Sequence, residues 1–274
     1  MSLHCRGSVF KWGERTYLMG IVNTSPDSFS GDGLSTVECA VEQARRMAAE
    51  GADIIDIGGE STRPGSEPIG EDEEIARVVP VIQRLSPELS VPVSVDTYKY
   101  SVARAAVAAG AAMLNDVWAL KKEPRLAYLA AEHQLPIILM SNQRDSPCDG
   151  DIMQAVAADL ARAIELCRHA GVAGDKIIID PGIGFGKTLA QNLEIIGRMA
   201  ELKTLGKPML LGVSRKSVIG LVLDLPAPER LEGTAAASAL GIAGGADIIR
   251  VHDVPQMRRV ARMSDAIVRR AHEC

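Results

Sequence analysis

The octapeptide GADIIDIG, residues 51–58, decides how the rest of the chain is read. Its leading glycine ends the helical pattern TVECAVEQARRMAAE (36–50), in which Val37, Ala40, Val41, Ala44, Met47 and Ala48 share one face. The remainder is a short β-branched run, apolar on both sides, as expected of a strand in a parallel sheet covered on each face. Its first five residues return as GADII at 245–249, again as a helix-stopping glycine followed by a strand, so one βα unit is used repeatedly.

Working outward from that unit, matching runs occur at YLMGIVN (17–23), DIIDIG (53–58), VPVSVD (91–96), AMLNDV (112–117), PIILMS (136–141), KIIID (176–180), PMLLGVS (208–214) and DIIRVH (247–252). Helical patterns lie between them. Thr36–Glu50 starts from the capping box Ser35-x-x-Glu38, Glu71–Leu85 opens with acids, and Val156–Arg168 aligns Val156, Leu160, Ala163, Ile164 and Cys167. Eight strands interleaved with helices over 274 residues predict an α/β fold, a (β/α)8 TIM barrel, with a doubly wound open sheet as the alternative. No low-complexity linker divides the chain, so residues 1–274 are expected to form a single domain with its core at about 17–270.

Composition narrows the partners. A net charge of -5 gives no electrostatic reason to expect nucleic acid or an anionic membrane. Only 3% of residues are aromatic, which argues against base stacking. Five scattered cysteines form no C-x-x-C pair, so neither a disulfide framework nor a zinc site is indicated and a reducing cytoplasm fits. The opening MSLHCRGSVFKWGERTY lacks a leader's apolar stretch, and runs such as LPIILM are far too short to span a bilayer. Small-molecule substrates are the expected partners.

Polar residues gather at the strand ends: Asn23; Glu60, Thr62 and Arg63; Asp96; Asn115 and Asp116; Ser141; Asp180; Ser214 to Ser217; Arg250 and His252. In a barrel those ends converge on one mouth, so residues distant in sequence would line one pocket. Asp96 has a plainer alternative as the cap of a helix at KYSVARAAV, and Asn115 as a turn residue. The remaining histidines, His4, His133, His169 and His272, read as structural. NTSPDSFSGDGLS and GGESTRPGSEPIG exceed the usual length of βα loops and read either as lids and binding loops or as segments disordered without ligand.

The most conspicuous turn, DPGIGFGKT (180–188), looks built for phosphate and is not. A Walker A loop requires glycine where this chain has Pro181, and the dinucleotide fingerprint requires glycine where it has Lys187. What remains is a carboxylate, Asp180, at a strand tip before a tight glycine turn that lets a flat ligand approach the backbone.

MGIVNTSPDSFSGDG, GADIIDIGGESTRPGS, VSVDT, NDV, IIIDPGIGFGK, LLGVSRKSVIG and RVHDV resemble, in order and from Met19 to Val254, the blocks of the dihydropteroate synthase family. The resemblance implies a (β/α)8 barrel, usually homodimeric, that joins 6-hydroxymethyl-7,8-dihydropterin diphosphate to p-aminobenzoate, releases diphosphate and uses Mg²⁺. It implies catalytic parts for Lys216, Arg63 and Asp27, and Asn23 as the magnesium ligand. Asp96, Asn115, Asp180 and Lys216 would hold the pterin, while Thr62, Arg63, Arg250 and His252 would hold phosphate oxygens. Pro64, Phe185, Lys216 and Ser217 would shape the p-aminobenzoate slot, and Asp56 would have a supporting part.

Two departures stand out. Gly31-Asp32-Gly33 replaces a D-G-G, and LMSNQRDSPCDG replaces a Met-His-Met-Gln-Gly-like tract, with Ser141 where histidine is typical. The competing readings are a methyltetrahydrofolate:corrinoid methyltransferase, a Schiff-base aldolase acting through Lys216, and a pterin-binding protein without activity.

Overall fold

The structure, a computed structural model, describes residues 2–24, 36–61 and 67–269. Two short strands, β1 (Ser2–Cys5) and β2 (Ser8–Lys11), form an antiparallel hairpin ahead of the main sheet. Then strands and helices alternate: β3 (Tyr17–Asn23), α1 (Thr36–Glu50), β4 (Ile54–Gly58), α2 (Glu71–Leu85), β5 (Val93–Asp96), α3 (Tyr100–Ala108), β6 (Met113–Asp116) and α4 (Arg125–Glu132). They continue through β7 (Ile137–Met140), α5 (Ile152–His169), β8 (Ile177–Asp180), α6 (Leu189–Arg198), β9 (Leu210–Leu211), α7 (Ser217–Leu223), α8 (Leu231–Gly244), β10 (Ile248–Val251) and α9 (Val254–Val268).

All eight expected strands are present and pair in parallel in the order β8-β7-β6-β5-β4-β3-β10-β9. A parallel bridge between Ile179 and Met209 joins the two end strands and closes the sheet on itself. The fold is the (β/α)8 barrel, not the open sheet.

Strand periodicity divides the apolar residues into two layers. Tyr17, Met19, Ile54, Met113, Ile138, Ile178, Leu210 and Ile248 point into the barrel and pack on one another. Their neighbours Leu18, Ile55, Val93, Leu114, Ile137, Ile177, Leu211 and Ile249 point outward beneath the helices. The same parity carries on to the C-terminal ends and sends Asn23, Asp56, Ser94, Asp96, Asn115, Asp180 and Arg250 inward, so the polar residues are a continuation of the packed interior.

Sequence reading missed the N-terminal hairpin. Arg6 and Gly7, at φ 46° and 80°, form a two-residue turn between the paired Cys5 and Ser8, the primed geometry that suits a twisted hairpin. Leu3, Cys5 and Phe10 close the end of the barrel opposite the polar mouth. Helix α5 begins at Ile152 and not Val156, because the Asp151 carboxylate accepts from the backbone N–H groups of Met153 and Gln154 and adds a turn. The proposed cap Ser35 lies outside the described residues.

Candidate active site

Four adjacent strands set the rim. Asn23 is in register with Gly58, Gly58 with Asp96, and Asp96 with Asn115, so three polar side chains stand side by side with a glycine gap between the first two. Around that gap a Cβ on Gly58 would meet Asn23 Oδ1 and Asp96 Oδ2 at 3.8 Å each.

Arg250 crosses the interior from β10. Its Nε donates to Asp56 Oδ2 at 2.7 Å and its Nη2 to Asp96 Oδ2 at 2.8 Å, while Asn115 Nδ2 also donates to Asp56 Oδ2 at 3.0 Å. Asp56, assigned only a supporting part from sequence, is therefore the pivot that orients both Asn115 and Arg250. Burial drives the Asp96 carboxyl up to about 7, against the pull of the Arg250 guanidinium. Asp96 does not cap α3, whose N-cap is Lys99, so the capping alternative is set aside. Nor is Asn115 a turn residue: it is the third residue of β6.

Opposite them stands Asp180, with Oδ1 accepting from the Gly182 N–H at 2.7 Å. Burial raises its pKa, opposed by Lys216, the Gly182 hydrogen bond, Lys187 and Arg250. Lys216, the N-cap of α7, donates from Nζ to Ile183 O at 2.5 Å. Its amine falls to about 8, chiefly from burial and reinforced by Arg250, with Asp180 holding it up. A Cβ on Gly212 would meet Lys216 Nζ at 3.7 Å, Asp180 Oδ2 at 3.8 Å and Arg250 Cβ at 3.9 Å. Gly212 therefore leaves open the place where these three side chains converge. Val117, Met140 and Phe185, with Tyr98 and Trp118 beside them, add an apolar wall at the mouth. Carboxylates, an amide, a lysine and an arginine before a flat apolar wall suit a planar heterocycle with amino and carbonyl edges.

The glycine turn has a packing role that its sequence-based reading did not include. Gly182 and Gly186 have positive φ, and a Cβ on them would strike Ser141 O at 1.9 Å and Arg144 N at 2.2 Å. These two glycines admit the backbone of the fifth βα loop, whereas a Cβ on Gly212 would be in ordinary contact with its neighbours. Ser141, in the place of the typical histidine, is buried and donates from Oγ to Asp159 Oδ2 at 2.9 Å, which ties this loop to α5.

Nearer the rim, His252 Nδ1 lies 2.9 Å from Ser214 Oγ, and Ser217 is exposed at the first position of α7. The Phe185 ring has Lys216 Nζ 4.7 Å from its centroid and the Arg144 guanidinium carbon at 4.6 Å. A groove of about 440 Å³ passes this point, lined by Arg144, Gly184, Lys187, Thr188, Ser217 and Leu221 among others. Asp27, Thr62, Arg63 and Pro64 lie outside the described residues. On either side of 62–66, Lys99 Nζ donates to Glu60 Oε2 at 2.6 Å, Ile69 O at 2.7 Å and Glu74 Oε2 at 2.7 Å, a buried junction that sequence reading did not find.

Among the described residues no three His, Cys, Asp or Glu side chains gather as a metal site. What exists is the single amide oxygen of Asn23 facing the mouth beside Asp96. That donor set fits Mg²⁺, which keeps waters and takes its anionic ligands from a bound diphosphate, and does not make an all-protein cage.

The model of the pterin binding enzyme family matches residues 19–252. Dihydropteroate synthase of Clostridium beijerinckii is 50% identical over 263 residues, covering 95% of this chain and 97% of that one. That of Bacillus subtilis is 49% identical over 267 residues, covering 97% and 93%. Among solved structures, dihydropteroate synthase from Clostridium difficile in the presence of pteroic acid has a TM-score of 0.92 at 49% identity, covering 95% of this chain and 99% of that one. The Xanthomonas albilineans dihydropteroate synthase with 4-aminobenzoic acid has a TM-score of 0.92 at 42% identity, covering 97% of each. The chain belongs to the pterin binding enzyme family and, within it, to the dihydropteroate synthases.

Proposed function

We infer that the chain joins 6-hydroxymethyl-7,8-dihydropterin diphosphate to p-aminobenzoate, forming 7,8-dihydropteroate and diphosphate. The observation that carries this reading is the convergence of Asp180, Lys216 and Arg250 at Gly212, with Asp96 and Asn115 joined to Arg250 directly and through Asp56, in a chain half identical to dihydropteroate synthases. In the proposed complex Asp180 accepts from the 2-amino group and a ring N–H of the pterin, and Lys216 donates to the carbonyl edge. Asp96 and Asn115 complete the ring contacts. Arg250 already faces two carboxylates, so little net charge is left for diphosphate; we place it against the ring, with His252, Thr62 and Arg63 taking phosphate oxygens.

The C–O bond between the pterin methylene and diphosphate breaks with its electron pair leaving on oxygen, and the electron-rich ring steadies the resulting cation. The aniline nitrogen then forms the C–N bond and gives up a proton. Asn23 would hold Mg²⁺, which would neutralise charge building on the departing diphosphate. Asp27, Arg63 and Pro64 would exclude water from the cation, and Phe185, Lys216 and Ser217 would border p-aminobenzoate. An aldolase would also need Lys216, but nothing in the arrangement requires a Schiff base.

The same reading extends to assembly and location. Helix α8 is apolar nearly all round and exposes Ala236, Leu240 and Ala243 at i, i+4 and i+7. Beside it α6 exposes Leu193, and α7 exposes Leu221 and Val222. This patch supports a homodimer through these helices. Cys5, Cys39, Cys148 and Cys167 are unbridged, in keeping with a reducing cytoplasm, and no described helix is long and apolar enough to cross a membrane. Incubating the protein with pterin diphosphate, p-aminobenzoate and Mg²⁺, and following product by chromatography, tests the activity. Absence of dihydropteroate would overturn it.

A further inference from the structure

The lysine of the GFGKT turn has no part in the reading above, yet its surroundings are specific. Lys187 Nζ donates to Ser141 O at 2.9 Å, Gly182 O at 2.9 Å and Phe185 O at 3.2 Å. An ammonium has three protons, and three main-chain carbonyls from two separate loops take them. No carboxylate is among these partners; burial lowers the amine to about 7, opposed through space by Asp180 and Asp159 and reinforced by Lys216 and Lys121.

The turn around the cage is tightly specified. Phe185 O also accepts from Gln143 N at 3.1 Å, Phe185 N donates to Gly182 O at 3.2 Å, and Ser141 N donates to Asp180 O at 2.9 Å. Only a glycine at 182 lets Ser141 O reach the cage, since a Cβ there would stand 1.9 Å from that oxygen. Below the turn, Asn192 Oδ1 accepts from Gly184 N at 2.7 Å and its Nδ2 donates to Lys187 O and Thr188 O. Two of the cage carbonyls, those of Gly182 and Phe185, bracket the segment that presents the Phe185 ring to Lys216.

We propose that Lys187 is a positioning residue for the amine acceptor: its ammonium gathers three converging carbonyls and thereby fixes the Phe185 ring at the mouth. Without that cation Gly182 O and Phe185 O keep one backbone donor each, the three carbonyl dipoles converge uncompensated, and the turn relaxes. Phe185 shifts, whereas Asp180 remains held in β8 by its strand pairing. This inference rests on Phe185 bordering p-aminobenzoate.

The test is steady-state kinetics with both substrates, plus calorimetric Kd for the pterin, on wild type, Lys187→Arg and Lys187→Met. Wild-type turnover is measured first, so its absence counts against the activity and not against the cage. The expected order of KM for p-aminobenzoate is wild type, then Lys187→Arg, then Lys187→Met, the last about tenfold above wild type, as loss of a charged hydrogen-bonding centre implies. The pterin Kd should change less than about threefold. Lower thermal stability with an unchanged KM for p-aminobenzoate would show a role in folding alone and overturn the proposal. Equal losses for both substrates would overturn it too. If Lys187→Met does not fold, Lys187→Arg decides: its planar fork cannot meet three carbonyls converging on one point, so an unchanged KM there also sinks the idea.

Discussion

Asp180 and Lys216 face each other across the space at Gly212, and their shared burial fixes how the site should respond to pH. With Asp180 paired to the pterin as proposed, Asp180→Asn removes a charge-assisted pair of bonds, so the pterin Kd should weaken by about 10- to 100-fold by calorimetry, corresponding to ~1.5–3 kcal/mol. Because burial raises the Asp180 pKa, wild-type pterin affinity should start to fall on the acid side at a higher pH than an ordinary carboxylate would give, and Asp180→Asn should lose its share of that limb and keep the part due to Asp96. The basic limb belongs to Lys216. Its amine titrates near 8, so the donor is present below that pH and is lost as pH rises through it, and kcat/KM should decline above about pH 8. Lys216→Arg keeps its proton throughout and should lose the decline near pH 8 at lower activity, with the acid limb unchanged. At this scale Asp96, Asn115 and Asp180 were visible in sequence because a charge or amide closing an apolar strand needs a partner, and a barrel turns such strand ends towards one mouth, whereas Lys216 stands five residues past β9 as the N-cap of α7. Asp56 was undervalued. Counting by twos from Ile54 puts it inside the barrel, but only the structure shows its carboxylate shared between Asn115 and Arg250.

Elements show where glycine matters and for whom. Gly182 has φ +71° and no room for a Cβ beside Ser141 O, so Gly182→Ala should cost more than ~3 kcal/mol in urea unfolding through combined backbone strain and overpacking. Gly212 is the opposite case. A Cβ there meets its neighbours at 3.7 to 3.9 Å, ordinary contact, so Gly212→Ala should stay within ~1 kcal/mol of wild type in stability while weakening pterin binding, because the new methyl stands where the ring would lie. Equal stabilities for the two variants, or unchanged pterin affinity in Gly212→Ala, would contradict this division. From sequence the two glycines are indistinguishable in purpose, since each follows a strand and neither advertises its neighbour. The strands themselves were legible: eight apolar runs, each bounded by turn residues, correspond to β3 through β10. The hairpin of β1 and β2 was not, because its Arg-Gly turn lacks the usual Asn-Gly or Asp-Gly cue and its strands are four residues each. Nor was the junction at Lys99, which joins residues 30 and 39 positions apart.

On the scale of the molecule, the barrel separates tasks by direction. Its lower end is sealed by Leu3, Cys5 and Phe10, its upper end carries the polar mouth, and its flank at α6, α7 and α8 offers an apolar surface. The barrel and its mouth were readable because period and polarity both follow from strand parity. The flank was not, because an apolar helix in sequence looks the same whether its outer face meets the barrel's own helices or a second copy. Geometry makes the distinction: Thr234, Ser238, Gly241 and Ile242 of α8 are buried in the chain, and Leu240 on the other side is 62% exposed. A carboxylate placed there would be desolvated in a dimer and indifferent in a monomer. Leu240→Glu should therefore convert a dimer to monomer in size-exclusion chromatography with light scattering. Leu240 is not among the residues lining the mouth or the groove beside it, so each separated chain should retain most of its turnover. A wild-type protein that is itself monomeric at micromolar concentration, or a Leu240→Glu variant that stays dimeric, would place the contact elsewhere and leave the exposed stripe on α8 without a physical reason.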